Sequence, residues 1–143
     1  MKPVALLVTI CIGGLLVGSV AAQEAAHTVT GEVRFSESGV IYVALLTEET
    51  FGRRREPAYL QILTPQPDTD VIVFQFDSVP AGQYALRVFQ DVNGDGTPNV
   101  GPRGPREPFG MHRRPERLRF PPRFEDSAFD VAGDMTDIQV ELQ

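Results

Sequence analysis

A two-residue rhythm that stops and restarts is the strongest constraint on this chain. Val29, Gly31, Val33 and Phe35 alternate with Thr28, Thr30, Glu32 and Arg34. Side chains on a strand point alternately to its two faces, so such a run is a strand with one apolar face. The rhythm returns with Ile72, Phe74 and Phe76, with Tyr84, Leu86 and Val88, and with Ile138, Val140 and Leu142. Val40 to Leu46 is instead continuously apolar, as expected of a strand buried on both faces or in a sandwich core. Gly39, Thr64-Pro65-Gln66-Pro67-Asp68 and Ser78-Val79-Pro80-Ala81-Gly82 punctuate the runs. Proline presets φ and denies the ladder a donor, and glycine closes tight turns.

Adding Ala58 to Leu63 and Ala128 to Val131 gives about seven short strands, with no helical periodicity and no internal repeat. This pattern predicts an all-β, single-domain, immunoglobulin-like β-sandwich, with an open barrel as the alternative. Thr47 to Pro57 is polar and is expected to cross between the two sheets with room for one helical turn. Tyr84 follows the Pro80–Gly82 turn, where its hydroxyl can return to a turn backbone group as in a tyrosine corner. From Asp91 to about Glu125 the rhythm is lost, and one long irregular loop is expected, packed down by Phe109, Phe120 and Phe124. Loops of that length are commonly functional.

The N-terminus reads Met1-Lys2-Pro3, then an apolar run from Val4 to Val17, then Gly18-Ser19-Val20-Ala21-Ala22. A positive start, a short apolar stretch and small residues at its end are the pattern of a secretory signal peptide over residues 1–22, leaving 23–143 as the domain. The run falls short of the ~20 apolar residues a spanning helix needs, so no membrane span is expected after cleavage. Export to the periplasm or the medium follows. Cys11, the only cysteine, lies inside the leader, and Ile10 before it argues against lipid attachment. The remaining domain has no thiol for a disulfide or a cysteine-ligated metal. Lys2 is the only lysine, so the domain carries 12 arginines against 19 acids, a formal charge of −7. That balance argues against nucleic-acid binding.

Asp91-Val92-Asn93-Gly94-Asp95-Gly96-Thr97 places side-chain oxygens at positions one, three and five and glycine at six, the front half of a calcium loop. The Thr97 carbonyl is a fourth candidate ligand, and Asn99 at position nine a fifth. Position twelve, where a bidentate glutamate belongs, is Pro102; Glu107 lies further on and would have to fold back. The predicted metal set is therefore Asp91, Asn93, Asp95, Thr97, Asn99 and Glu107, with Ca²⁺ as the ion. An ordinary Asx-rich turn is the competing interpretation.

Arginines cluster at 53–55 and again as Arg103, Arg106, Arg113, Arg114, Arg117, Arg119 and Arg123. Arg103, Arg106, Arg113 and Arg114 are candidates for an anionic ligand or partner, against a simpler expectation of ion pairs with Glu107, Glu116, Glu125 and Asp126. His27 and His112 are isolated, and no nucleophile, H-E-x-x-H or phosphate-cradling loop occurs. No catalytic residue is assigned and no enzyme activity is expected.

Taken in order, several pieces form a larger pattern. They are Phe76-Asp77-Ser78-Val79-Pro80-Ala81-Gly82-Gln83-Tyr84-Ala85, the Asp91–Gly96 loop, Gly104-Pro105-Arg106-Glu107-Pro108-Phe109-Gly110, and Pro122-Arg123-Phe124-Glu125-Asp126-Ser127-Ala128-Phe129. With the Gly39–Leu46 strand, they resemble the DUF2141 family of small exported bacterial β-domains, from about Thr30 to Leu142. The Pro-Ala-Gly-Gln-Tyr turn also resembles transthyretin-like and carboxypeptidase-regulatory-like sandwiches. The resemblance implies the sandwich fold and brings no catalytic residues. Asn99, often acidic in the family, and Met111-His112-Arg113-Arg114 depart from its pattern. The expected function is an exported binding or accessory domain, its partner an envelope protein or an anionic ligand. A purely structural envelope protein, or a metal-assisted hydrolase using Glu107 or His112 as base, are the alternatives.

Overall fold

A computed structural model describes residues 25–52, 56–116 and 122–143. The expected leader, Arg53 to Arg55, Arg117, Arg119 and Phe120 lie outside the described residues. Along the rest run β1 (Ala26–Arg34), β2 (Val40–Leu46), α1 (Glu48–Phe51), β3 (Tyr59–Leu63), β4 (Val71–Pro80) and β5 (Gly82–Asp91). They are followed by β6 (Val100–Gly101), β7 (Gly104–Pro105), β8 (Phe109–Met111), β9 (Phe129–Val131) and β10 (Met135–Glu141).

One sheet has the order β10-β1-β4, with β1 parallel to β10 and antiparallel to β4. The other has the order β3-β2-β5-β8, and β9 joins the first residues of β5 while β8 pairs with Arg87 to Phe89 of the same strand. The inward positions of both sheets meet in one core. Val29, Val33, Phe74 and Ile138 come from the first sheet, and Ile41, Val43, Leu86 and Val88 from the second. Apart from Ile41 and Val43, which come from the continuous apolar run, these are the residues the two-residue rhythm selects, because one face of each strand leaves water. Gly31 is small because β10 and a ring occupy its side-chain position. A Cβ there would stand 2.7 Å from both Ile138 Cβ and Phe74 Cζ.

The sandwich is laced at both sides. Phe109 N–H donates to Gln143 O (3.1 Å) and Gln143 N–H to Phe109 O (3.3 Å), tying β8 to the chain end beyond β10. Opposite, Gln75 N–H donates to the Gln61 side-chain oxygen (2.9 Å), and the Tyr59 hydroxyl donates to Ser78 O (3.1 Å). The Tyr84 hydroxyl donates to Pro80 O at 3.1 Å, the predicted return to the turn.

Two expectations need correction. The segment after β2 does not cross between sheets, since β2 and β3 are antiparallel neighbours in one sheet. Its helical turn, α1, instead drops Phe51 onto the outer face of that sheet. There Phe51 forms a second cluster with Leu46, Ala85 and Met111, covered by Phe124 edge-on at 5.5 Å. The change of sheet comes at Ala81, because β4 stays paired with β1 as far as Pro80 and β5 belongs to the other sheet. Finally, the described residues hold ten strands instead of about seven. β6, β7 and β8 lie in the segment read as irregular, and two or three residues are too few to show a period.

Candidate cation loop and arginine hairpin

β5 ends at Asp91, which pairs with Val40 at the start of β2. Asp91 is 5% exposed, with its carboxylate turned under the loop it begins. Its Oδ1 accepts from Gly94 N–H (2.7 Å) and Asp95 N–H (3.2 Å), and its Oδ2 from Gly96 N–H (2.8 Å). Gathering three successive donors onto one side chain requires the tight path that Gly94 (φ 76) and Gly96 (φ 70) permit. Gly39, at φ 140, leaves room on the other side for the Asp91 carbonyl.

The remaining predicted ligands follow from this fold. Asn93 Oδ1 accepts from Asp95 N–H (3.0 Å), and Asp95 Oδ1 from Thr97 N–H (2.8 Å). Asp95 Oδ2 receives the carboxamides of Asn93 (3.0 Å) and Asn99 (2.9 Å), and the Asn99 carboxamide also donates to the Thr97 carbonyl (3.0 Å). Hydrogen bonding from Asn99 first, then from Thr97 N–H and Asn93, holds the exposed Asp95 carboxyl below the usual carboxylate range.

Glu107 does fold back. Its Oε1 accepts from Val92 N–H (3.0 Å) and Asn93 N–H (3.3 Å), and its Oε2 from the Asn99 carboxamide (3.2 Å) and Asn99 N–H (3.4 Å). All six predicted ligand residues therefore belong to one hydrogen-bonded unit. The return is made by the β6–β7 hairpin, closed by Arg106 N–H donating to Asn99 O at 2.8 Å. Asp91, Asp95 and Glu107 have no ion-pair partner among the described residues. Their oxygens face N–H donors and do not converge: among the described residues no three acidic, histidine or cysteine side chains form a metal cluster.

The hairpin bounds an open cavity of about 440 Å³ whose lining includes Arg103 and Arg106. The Arg106 side chain lies across Gly101, where a Cβ would come 2.8 Å from its Nε. Neither arginine has a carboxylate partner among the described residues, against the expectation of ion pairs; the pair that forms is Arg123 with Glu125, at 3.8 Å. Arg113 and Arg114 follow β8 and do not line this cavity, and Arg114 donates to the Gln143 side chain. The four candidate arginines thus divide into two pairs.

The histidines are more engaged than the sequence suggests. His27 sits within β1, with Nδ1 3.9 Å from Asp134. His112 stands edge-on to Phe129 at 5.0 Å. Burial chiefly, and then the Arg113 charge, lowers its pKa against an opposing pull from Asp137. The unfolded chain then takes up a proton near the ordinary histidine pKa of about 6.5 while the folded chain does not, so stability falls as pH drops through that value. His112→Gln is expected to flatten the melting temperature between about pH 7 and about pH 5 relative to the parent.

Sequence reading passed over Arg87. It is the charged residue in the run Ala85 to Phe89, at an outward position of a strand whose neighbours on that face are apolar. That mismatch was the available signal.

A family model described as "Uncharacterized protein conserved in bacteria (DUF2141)" matches residues 30–139. The chain belongs to this family. The match takes in the whole Asp91–Glu107 unit and nearly all of both sheets, so the loop lies within the DUF2141 domain. No curated protein and no solved structure matches the chain.

Proposed function

We propose that this DUF2141 protein is an exported, non-catalytic β-sandwich. Its Asp91–Glu107 loop holds a Ca²⁺-type cation and thereby fixes a hairpin that offers Arg103 and Arg106 to an anionic group of an envelope ligand or partner. One observation carries the reading: Glu107 folds back onto Val92, Asn93 and Asn99, so Asp91, Asp95 and Glu107 share one hydrogen-bonded unit in which none has an ion-pair partner among the described residues. Amide donors offset part of that negative charge, and a hard cation with oxygen ligands offsets more. Turning the Asn93 and Asn99 carboxamides would exchange their donors for oxygens, completing an oxygen-rich set with the Thr97 carbonyl. Export is supported by the apolar run and small-residue end of residues 1–22, and by the absence of thiols after Cys11. The non-catalytic reading is supported by the two candidate bases, Glu107 and His112. Glu107 is committed to backbone and carboxamide donors, and His112 is held against Phe129.

Full satisfaction of the carboxylates by N–H groups favours a second reading, in which the unit is a self-sealed turn of a structural domain. Trypsin separates the two, because it cleaves after Arg103 and Arg106. With a cation in the loop, calcium slows cleavage at these sites several-fold, and Asp95→Asn removes the protection. Equal cleavage with calcium and with chelator contradicts the proposal and leaves the turn.

A further inference from the structure

Arg87 projects from β5 on the outer face of the larger sheet. It pairs in register with Ala44 of β2, which pairs with Leu60 of β3. Its guanidinium carbon lies 3.7 Å from the centroid of the Phe51 ring. Its Nε is buried with no hydrogen-bond partner, and no carboxylate pairs with the group among the described residues. Burial alone lowers its pKa to about 10, so it stays charged at neutral pH. A desolvated cation without a counter-charge is costly, and the stack on Phe51 offsets only part of that cost.

The surface beside it is aliphatic. Leu60 is 49% and Ile62 56% exposed, on the strand that ends the sheet. Ile62 continues through its register partner Tyr42 onto Phe89, whose ring stacks on Tyr42 at 4.6 Å. Two strand spacings, about 10 Å, separate the Arg87 position from this ledge.

We propose that the ledge binds an amphipathic carboxylic acid, its carboxylate on the fork of Arg87 and its aliphatic chain across Leu60 and Ile62. Charge complementarity selects this occupant. Arg87 supplies donors in the planar arrangement a carboxylate accepts in two bonds, and the ledge residues Leu60, Ile62, Ala44 and Tyr42 are uncharged. β2, β3 and β8 carry no charged residue, so none of these strands supplies Arg87 with a counter-charge.

The test is calorimetric titration of the purified protein with decanoate, below its micelle-forming concentration. Acetate serves as the head without the tail, and decanol as the tail without the charge. Decanoate is expected to bind saturably, and each fragment at least about tenfold more weakly. Arg87→Gln should weaken decanoate by about tenfold or more, as loss of a charge-assisted pair implies. Leu60→Ser/Ile62→Ser, confined to exposed positions, should weaken it too while the melting temperature holds, so the result does not rest on Arg87→Gln folding. Absence of saturable binding, or equal binding of decanoate and decanol, overturns the proposal. So does a concentration-dependent dimer abolished by Ile62→Lys, which would assign the ledge to a second copy.

Discussion

Asp91→Ala lowers the melting temperature by roughly 10 °C, corresponding to a loss of about 3 kcal/mol. Asp91 is almost wholly buried, and its carboxylate accepts from three backbone donors at once. Truncation leaves those N–H groups without their acceptor, and the cost of an unmade bond to a charged group exceeds the gain of an ordinary one. The loop can open and give its amides to water, which keeps the loss below three full desolvation penalties. Opening also releases Glu107 from Val92 and Asn93, so the β6–β7 hairpin loosens with it. Thermal melts measure the stability, and hydrogen exchange at Gly94, Asp95 and Gly96 measures the local opening. A change under about 0.5 kcal/mol would mean the carboxylate does not organise the loop.

Gly39→Ala acts on the same residue from the opposite side and is expected to cost about 4 kcal/mol, seen as a lower denaturant midpoint at unchanged slope. At φ 140 an alanine is strained whatever space it has. Here the space is also taken, by the carbonyl carbon of Asp91 at 2.8 Å and by its oxygen. These are backbone atoms of a paired strand and cannot swing away, so the strand ends must separate or the substitution fails. Because both substitutions disturb Asp91, their effects are not independent, and the double variant should lose less than the sum. Strict additivity would show that Gly39 does not act through Asp91.

What could be read from the sequence follows from length and locality. β1, β4, β5 and β10 are long enough for alternation to show, β2 shows as an unbroken apolar run, and their inward residues are the core. The Tyr84 hydroxyl bond spans four residues and could be foreseen from the turn before it. The Asp91 loop was legible for the same reason, since its ligand-like residues lie at fixed short spacing. Glu107 was named without its path, because its return depends on a hairpin of two-residue strands that no period reveals. Parallel pairing of β1 with β10 joins the two ends of the domain, and local pattern holds no trace of it. The misread segment after β2 looked exposed because it is charged. Its one buried residue, Phe51, anchors a second cluster that exists only when β2, β5 and β8 lie side by side. Arg87 shares that origin: its burial comes from Phe51 above it and not from its own strand.

Calcium titration of the purified protein by calorimetry tests the cation loop most directly, with Asp95→Asn as the companion. Asparagine keeps an oxygen for Thr97 N–H and removes the charge. The account predicts one site with a Kd of about 10⁻⁴–10⁻³ M, as in extracellular modules. At roughly 10 mM calcium the melting temperature should rise by several degrees, and Asp95→Asn should abolish both signals. No heat and no shift at that concentration would contradict it and leave the Asp91–Glu107 unit as a turn sealed by its own amides.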